Sequence, residues 1–338
     1  MSALRPLLAD LKEQRTYRFL EPWRISSRAL GLAVPIVRTD YGPRAYLVLD
    51  EIPGGVDIRD SGSIRRLIAR SGVNKPVFVR GGLILKGETQ PRAVRFGVVI
   101  LPGEERPIEA LCVHEVRPIR AKAKFRLAID VPAEFYEPLV RGDQIEVWSR
   151  IREVAEELTR MEEAACVAYA RATAPELHIA QMLDLTRISE ELEVARKNIR
   201  DVVELFRPVK DQVGVAIIDA RGVYALEVFD HPDSWSAVAK NAGRRFADIL
   251  AQEADYEIFT PNKEGIMKAL MAFLDKLEAC SEEEVFKNEV ARTSVLEGED
   301  ICGEYTVLEG SVIHLLAVRT EGRPRRLSEE FAFFRPEP

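Results

Sequence analysis

Two apolar runs and a short polar connection make up the stretch Val213-Gly-Val-Ala-Ile-Ile-Asp-Ala-Arg-Gly-Val-Tyr-Ala-Leu-Glu-Val-Phe229. Each run is rich in β-branched and aromatic residues, which favour strands. The connection Asp219-Ala220-Arg221-Gly222 ends in glycine, the residue that suits the bulge of a hairpin turn. The stretch therefore predicts a β-hairpin with strands at Val213–Ile218 and Val223–Phe229.

The sequence on the C-terminal side of this hairpin changes between helical and extended periodicity. Amphipathic segments predict helices at Pro232–Glu253 and Asn262–Cys280. Short apolar runs predict strands at Glu289–Val295, Tyr305–Leu308 and Val312–Arg319. The region 209–338 is therefore expected to form a mixed sheet with helices.

On the N-terminal side of the hairpin, apolar residues repeat at intervals of three and four, which is the helical period. One stripe runs from Trp148 to Tyr169 and a second from Leu185 to Phe206, and Pro175 lies in the connection between them. Because proline interrupts a helix, the region 143–208 predicts a long helical hairpin. Its stripes are interpreted as core, with a dimer seam as the alternative.

The region 1–142 begins with an amphipathic helix over residues 1–16 and continues with short apolar runs bounded by glycine and proline, which are typical of strands. These runs lie at Arg44–Leu49, Val77–Arg80, Phe96–Leu101, Ile108–Val113 and Phe125–Ile129. The predicted fold class is therefore α+β, with a β-rich N-terminal part, a central long helical hairpin and a C-terminal mixed sheet with helices.

The composition is that of a globular chain, because 46% hydrophobic residues in a length of 338 suffice for a sizeable core. A net charge of -7, with basic residues scattered among acidic ones, disfavours a nucleic-acid partner. The chain has no apolar run of the ~18 residues that a membrane helix needs, and no signal-peptide core. We expect a cytoplasmic protein with reduced cysteines, since the four cysteines form no CxxC pair, and the charge-rich composition is typical of thermophiles.

Three short motifs, together with Trp148, occur in the order and spacing of a known family. The motifs are Gly82-Leu-Ile-Leu-Lys-Gly-Glu-Thr-Gln-Pro-Arg92, Cys112-Val-His-Glu-Val-Arg117 and the segment Gly214–Trp235, which contains Val228-Phe-Asp-His-Pro232. By these motifs the chain resembles the ARG and Rhodanese-Phosphatase-superfamily-associated protein domain family over residues 25–320.

The chain departs from the family pattern at three positions. Leu83 and His114 replace acidic residues, and Pro118 replaces the tryptophan that usually follows the motif arginine. We therefore do not assign to Leu83 or His114 any role that the acidic residues have in the family. The resemblance implies genomic association with ADP-ribosyl-processing and phosphatase-like enzymes, and hence a ligand with nucleotide or ADP-ribose chemistry.

Gln90 and Arg92 are two residues apart, so in an extended segment both side chains point to the same face. Arginine offers a planar fork of donors that suits phosphate or carboxylate, and glutamine adds a donor and an acceptor beside it. The alternative is structural: Arg92 pairs with a carboxylate or caps a loop, and Gln90 lies on the surface.

Cys112 and His114 are also two residues apart on a predicted strand, in the motif that Arg117 ends. They could start a metal site, but zinc needs three or four ligands and no second pair is present. A thiolate activated by imidazole is another interpretation, and a buried structural cysteine is the third. His114 and Arg117 are included among the candidate ligand-binding residues.

His231 stands where a predicted strand runs into a predicted helix. Pro232 at the first helical position and Asp233 in the first turn are typical of a helix start, so Asp230 or His231 is expected to cap it. The functional alternative is that this N-terminus receives an anion, with His231 as a ligand-binding residue, although the two aspartates oppose an anion.

Two functions therefore remain open. The first is a non-enzymatic binding or scaffold module that recognises a protein partner or a second copy of itself, because the sequence contains no complete catalytic constellation. The second is an enzyme or sensor for a phosphorylated small molecule, such as an ADP-ribose-related nucleotide, held by Gln90 and Arg92. The sequence implies no cofactor and no metal site.

Overall fold

The computed structural model describes residues 2–87, 90–114, 123–166, 202, 204, 206–251, 253 and 261–320. Two β-layers dominate these residues: an eight-stranded antiparallel sheet and a closed six-stranded barrel. The helices are α1 (Leu4–Glu13), α2 (Tyr136–Arg141), α3 (Gln144–Cys166), α4 (Pro232–Arg245), α5 (Ala247–Leu250) and α6 (Lys263–Glu278).

The eight-stranded sheet is built around the hairpin that the sequence predicted. Its strands are β1 (Tyr17–Phe19), β2 (Leu32–Arg38), β12 (Gln212–Asp219), β13 (Gly222–Phe229), β14 (Ser281–Lys287), β15 (Ala291–Glu297), β16 (Ile301–Leu308) and β17 (Ser311–Arg319). Their spatial order is β1-β2-β12-β13-β17-β16-β15-β14. The predicted hairpin is confirmed, since β12 pairs with β13 and their register shifts next to Ile218. Gly222 in the turn has a φ of 111°, which favours glycine.

Both faces of this sheet are covered. Leucines and other apolar residues of α1 and α6 pack on one face, with the sheet residues Leu226 and Leu315. The opposite face carries Phe229 and Leu316 and packs against α4 and the barrel side of the molecule. Because side chains alternate along each strand, the two faces contribute to separate cores.

The barrel closes because its last strand in spatial order pairs with the first. Its strands are β4 (Val56–Ser63), β5 (Arg66–Ser71), β7 (Leu83–Gly87), β8 (Arg92–Val94), β10 (Glu105–Cys112) and β11 (Lys124–Asp130), in the order β10-β5-β4-β11-β7-β8. The pair Cys112 and Arg92 belongs to the closing contact between β10 and β8. A third core, with Ile58, Leu67 and Val94, fills the barrel.

A small three-stranded sheet connects the two layers. It consists of β3 (Leu47–Val48), β6 (Val77–Val79) and β9 (Val98–Ile100), and β3 runs parallel to β6. Val77 and Val79 belong to the core of the barrel, whereas Phe78 between them belongs to the core of the large sheet. Because side chains alternate in direction along β6, this one strand contributes to both cores.

The predicted layout of the α+β fold is wrong, because the structure is sheet-rich with a closed barrel, and only the mixed class is partly consistent with it. The predicted N-terminal strands close into a barrel, and β1 and β2 join the C-terminal strands in one sheet. The described residues contain no long helical hairpin. Its first helix corresponds to α3, whereas the second lies outside the described residues except at 202, 204 and 206. Barrel closure depends on pairing between distant strands, which periodicity does not report.

The described helical stripe residues belong to the core. Ile151 and Ala155 of α3 are buried, as are Val202 and Phe206. Among the described residues, no helix combines the length and the apolar content needed to cross a membrane. Cys112, Cys280 and Cys302 are free thiols.

Candidate functional site

Arg92 begins β8 and lies at one end of the barrel core. Val94, two residues further along the same strand, packs with the apolar residues inside the barrel, so the alternation directs Arg92 to the same side. The side chain of Arg92 is 0% exposed. A guanidinium is therefore held inside the barrel wall at the end where β8 begins and β10 finishes.

The guanidinium of Arg92 is only partly paired. Its NH1 donates to Gln90 Oε1 at 2.8 Å. Asp60 Oδ2 lies 3.9 Å from NH2, close enough for an ion pair and too far for a hydrogen bond. Within the described residues, Nε and NH2 of Arg92 are buried without a hydrogen-bond partner. Two donor nitrogens of a charged group thus lack a regular hydrogen bond to a described residue, although the guanidinium also lies close enough to the Cys112 thiol to lower its pKa.

Cys112 faces Arg92 across the closing strand pair. Its Sγ lies 3.1 Å from Gln90 Oε1 and 2.8 Å from the carbonyl oxygen of His114. Burial raises the pKa of the Cys112 thiol, although the backbone N–H of His114 and the charge of Arg92 act in the opposite direction. The thiol therefore stays protonated at neutral pH, in agreement with a buried structural cysteine.

The first turns of α3 complete this end of the barrel. Gln144 accepts a hydrogen bond from Cys112 N at 2.9 Å and donates from Nε2 to Cys112 O at 2.6 Å, which ties the helix to β10. Trp148 follows one turn later and is close enough to Cys112 to lower the pKa of its thiol, as Arg92 does. Trp148 Nε1 is buried; its contact with the Cys112 thiol lowers the pKa of that thiol, but it does not reach the geometry of a regular hydrogen bond to any described residue.

We call Gln90, Arg92, Cys112 and Trp148 the barrel-end site. Its electrostatic character is set by one guanidinium and one indole N–H, both buried, with Asp60 as the nearest carboxylate among the described residues. Leaving donors of a buried charged group without acceptors costs about 1–3 kcal/mol each. A phosphate or carboxylate oxygen is the acceptor that such donors suit best.

The structure brings together three of the five ligand-binding residues predicted from sequence: Gln90 and Arg92 by their side chains, and His114 through its backbone beside Cys112. His114 is a buried residue, with 7% of its surface exposed. Arg117 lies outside the described residues. The binding roles of these residues stay a prediction.

His231 lies away from the barrel-end site, at the N-terminus of α4. Its Nδ1 accepts a hydrogen bond from Asp233 N at 3.1 Å, so His231 is the N-cap of α4, one of the two expected caps. Burial lowers the pKa of His231, and the positive charges of Arg44 and Arg38 act in the same direction. The ring is therefore neutral at pH 7 and can accept this bond. A ligand-binding role of His231 stays a prediction.

Sequence reasoning missed Gln144 and Asp60 as members or neighbours of the barrel-end site. Gln144 starts a helix and had no spacing relation to Cys112 that would have indicated the contact. The position of Asp60 could have been predicted, because Asp60 follows Val56 and Ile58 at intervals of two residues. An acid at the next position of such an apolar series points to the same buried side of the strand.

A second polar cluster joins the barrel to the sheet. Arg80 donates to Asp130 from NH1 and NH2, at 3.0 and 2.8 Å, and to Asp50 from Nε and NH2, at 3.1 and 2.6 Å. Arg245, at the end of α4, donates from NH2 to Asp130 at 2.8 Å, and its NH1 lies 3.3 Å from Glu227 Oε1. All of these side chains are buried.

We call this cluster of Arg80, Asp50, Asp130 and Arg245 the ionic network. The large sheet contributes two further titratable groups to it, Glu227 and His314. Burial opposes ionisation of Glu227, but Arg245, His314 and Arg80 outweigh it and lower its pKa to about 2. Burial lowers the pKa of His314, whose neutral ring lies 3.2 Å from Glu227 Oε1 through Nε2. Glu227 interrupts the apolar run of β13, a signal that could have indicated a buried partnered acid.

In the part of the chain that the structure describes, no three His, Cys, Asp or Glu side chains are grouped to hold a metal ion. The fold and the site define an α+β protein in which a closed barrel packs against a large antiparallel sheet and holds a half-paired arginine at one end. The family model described as ARG and Rhodanese-Phosphatase-superfamily-associated Protein domain matches residues 17–318, and the chain belongs to this family. Searches of curated proteins and of solved structures find no match.

Proposed function

We propose that the chain is a binding protein for a small phosphorylated ligand, held at the barrel-end site. The observation that carries this proposal is the buried guanidinium of Arg92, whose Nε and NH2 have no hydrogen-bond partner among the described residues. A doubly or singly ionised oxyanion would accept from these nitrogens and balance the charge of Arg92 in a low-dielectric surrounding. Trp148 Nε1 would supply a further donor.

Binding is favoured over turnover by the state of the nucleophile at this site. Burial raises the pKa of the Cys112 thiol, so it is a poor nucleophile at neutral pH. Gln90 and Gln144, its polar neighbours, are amides that neither donate nor accept a proton in acid–base catalysis. The association that the family name describes supports a nucleotide or ADP-ribose type of ligand for a cytoplasmic protein of this kind.

The test is thermal unfolding with and without phosphate, AMP, ADP-ribose and NAD. A ligand that binds the folded state at 100 times its Kd adds about 2.7 kcal/mol of stability, which a melting curve resolves. We expect a stabilising shift with at least one of these compounds, and its loss in Arg92→Lys, which keeps the charge and removes the planar fork.

A matched pair of tryptophan variants separates ligand binding from stability. Trp148→Phe removes an indole N–H at the barrel-end site. Trp235→Phe removes a buried indole N–H that has no hydrogen-bond partner among the described residues, from a ring that packs on Phe206 and Phe229. We expect Trp148→Phe to weaken the ligand-induced shift and Trp235→Phe to retain it. The proposal is wrong if no compound shifts the melting temperature of the folded protein, or if Arg92→Lys responds like the wild type.

A further inference from the structure

A concave cavity of about 400 Å³ lies between the barrel and the outer strands of the large sheet, apart from the barrel-end site. Four glutamates line it: Glu109 from β10, Glu283 and Glu284 from β14, and Glu297 from β15. Phe96 and Cys302 contribute a less polar part of the lining. We call this cavity the acidic groove. It combines carboxylates with a surface that suits the methylene groups of a long side chain.

Two arginines, Arg95 and Arg141, also line the acidic groove, and both are already paired. Arg95 NH1 lies 2.9 Å from Glu109, and Arg95 Nε donates to the carbonyl oxygen of Val140 at 3.0 Å. Arg141 lies 2.8 Å from Glu137 and 3.5 Å from Glu297. Arg95 and Arg141 therefore partly neutralise Glu109 and Glu297, two of the four carboxylates that line the groove.

The carboxylates of β14 keep a negative charge on the other side of the groove. Glu283 forms no ion pair with any described residue, and among the same residues Glu284 pairs with Lys287, at 3.7 Å on the exposed surface. A salt bridge of that kind is weak in water. The acidic groove thus attracts a cation rather than an anion.

The same strand also has an open backbone edge. β14 pairs with β15 on one side, and on its other side it pairs with no strand in the described part of the chain. Its first four residues are exposed. An unpaired edge offers backbone N–H and C=O groups to an added strand, and charges on the edge repel all but a complementary partner.

We propose that the edge of β14 and the acidic groove together form a docking site for an extended, lysine- or arginine-bearing segment of a partner protein. The segment pairs with β14 as an added strand, and one basic side chain enters the groove beside Glu283 and Glu284. Acidic residues on an edge strand also prevent aggregation, but that purpose does not require a groove beside the strand. The groove and the edge together favour recognition.

The test is fluorescence anisotropy with a labelled eight-residue peptide of alternating lysine and valine. Two further peptides serve as comparisons: one alternates glutamate and valine, and one carries N-methyl groups on alternate amides of the lysine peptide. We expect binding of the lysine peptide alone. On binding, hydrogen exchange of the β14 amides is expected to slow.

A matched pair of double variants locates the site. In Glu283→Gln with Glu284→Gln, the affinity for the lysine peptide is expected to fall about tenfold, because two charge pairs are lost. In Glu21→Gln with Glu264→Gln, which removes two exposed carboxylates elsewhere, the affinity is expected to stay unchanged. Melting curves verify that all four substitutions leave the fold intact.

Three results would each overturn the docking site. They are the absence of binding by the lysine peptide, equal affinity for the N-methylated peptide, and unchanged affinity in the Glu283 and Glu284 double variant. The second result would show that charge alone attracts the peptide, without strand addition.

Discussion

Glu304 is a fully buried carboxyl group on the face of the sheet that meets the barrel. Its Oε2 accepts a hydrogen bond from Gly97 N at 2.9 Å. Burial raises the pKa of Glu304 to about 7, although the N–H groups of Gly97 and Gly81 and the charge of Arg245 act in the opposite direction. The folded state therefore binds this proton more tightly than the unfolded chain, in which the pKa of a glutamate is about 4.5.

This shift predicts a dependence of stability on pH. Below about pH 4.5 both states hold the proton, and as the pH rises to about 7 the unfolded state releases it first, so Glu304 progressively destabilises the fold. Glu304→Gln stays neutral and can still accept from Gly97. We expect the variant to gain stability relative to the wild type between pH 5 and pH 8, by on the order of 3 kcal/mol at most.

Urea unfolding of both proteins at pH 5 and pH 8 measures this difference. Other carboxyl groups contribute equally to the two curves, so the difference between them reports Glu304. A difference in free energy of unfolding that is the same at both pH values would contradict the raised pKa.

At the scale of single elements, α4 shows how a short sequence signal sets a helix start. His231 has extended backbone angles and caps Asp233 N, and Pro232 occupies the first helical turn. The sequence predicted this start, and the helix from Pro232 was confirmed. The predicted end at Glu253 was too late, because α4 ends at Arg245 and a short helix, α5, follows.

Loss of the cap is expected to destabilise the protein. His231→Ala removes the acceptor for Asp233 N and should lower the free energy of unfolding by about 1 kcal/mol. His231→Asn replaces the ring with another good capping group, and we expect it to retain most of the stability. Denaturant unfolding at pH 7.5 makes the comparison, and equal losses in the two variants would mean that the hydrogen bond at Nδ1 is unimportant.

The strand β14 shows where element prediction from sequence fails. Its sequence, Ser-Glu-Glu-Glu-Val-Phe-Lys over 281–287, lacks the apolar alternation of a half-buried strand. It forms a strand because β15 supplies backbone partners along its length. Edge strands tolerate charge on both faces, so hydrophobic pattern is a poor guide to them.

At the scale of the whole molecule, the ionic network holds the barrel against the sheet. Arg245 contacts Asp130 of the barrel and approaches Glu227 of the sheet, and all three side chains are 0% exposed. The Thr293 hydroxyl on the sheet also donates to the carbonyl oxygen of Gly97, at 2.8 Å. The two layers are therefore expected to unfold together.

Removal of Arg245 tests this coupling. Arg245→Met leaves buried carboxylates with less compensation and should cost about 3–5 kcal/mol. Arg244→Met, on the half-buried neighbouring position of α4, is the matched control and should cost much less. Urea unfolding followed by tryptophan fluorescence and by circular dichroism should give one coincident transition for the wild type. Separate transitions, or similar losses in the two variants, would contradict the coupling.

Part of the candidate site was predicted from the sequence. Contacts along one strand could be predicted, and contacts between distant strands could not. The spacing of two residues predicted that the side chains of Gln90 and Arg92 point to the same face of an extended segment. In the structure, NH1 of Arg92 donates a hydrogen bond to Gln90. That Arg92 lies inside a barrel, opposite Cys112 and near Asp60 and Trp148, required strands and a helix from distant parts of the chain. Spacing along a strand is local, whereas neighbours across strands depend on register.

The sequence alone determined the local structure: the β12–β13 hairpin, the amphipathic helices α1, α3 and α6 and the capped start of α4 follow from periodicity, turn residues and capping. Tertiary structure alone decided that six strands close into a barrel, that β1 and β2 complete the C-terminal sheet, and that five charged side chains meet in one buried network. These are Asp50, Arg80, Asp130, Glu227 and Arg245. The reason is that hydrophobic alternation fixes which side of a strand is buried. It does not specify which distant strand supplies the partner, since that choice depends on the packing of the whole core.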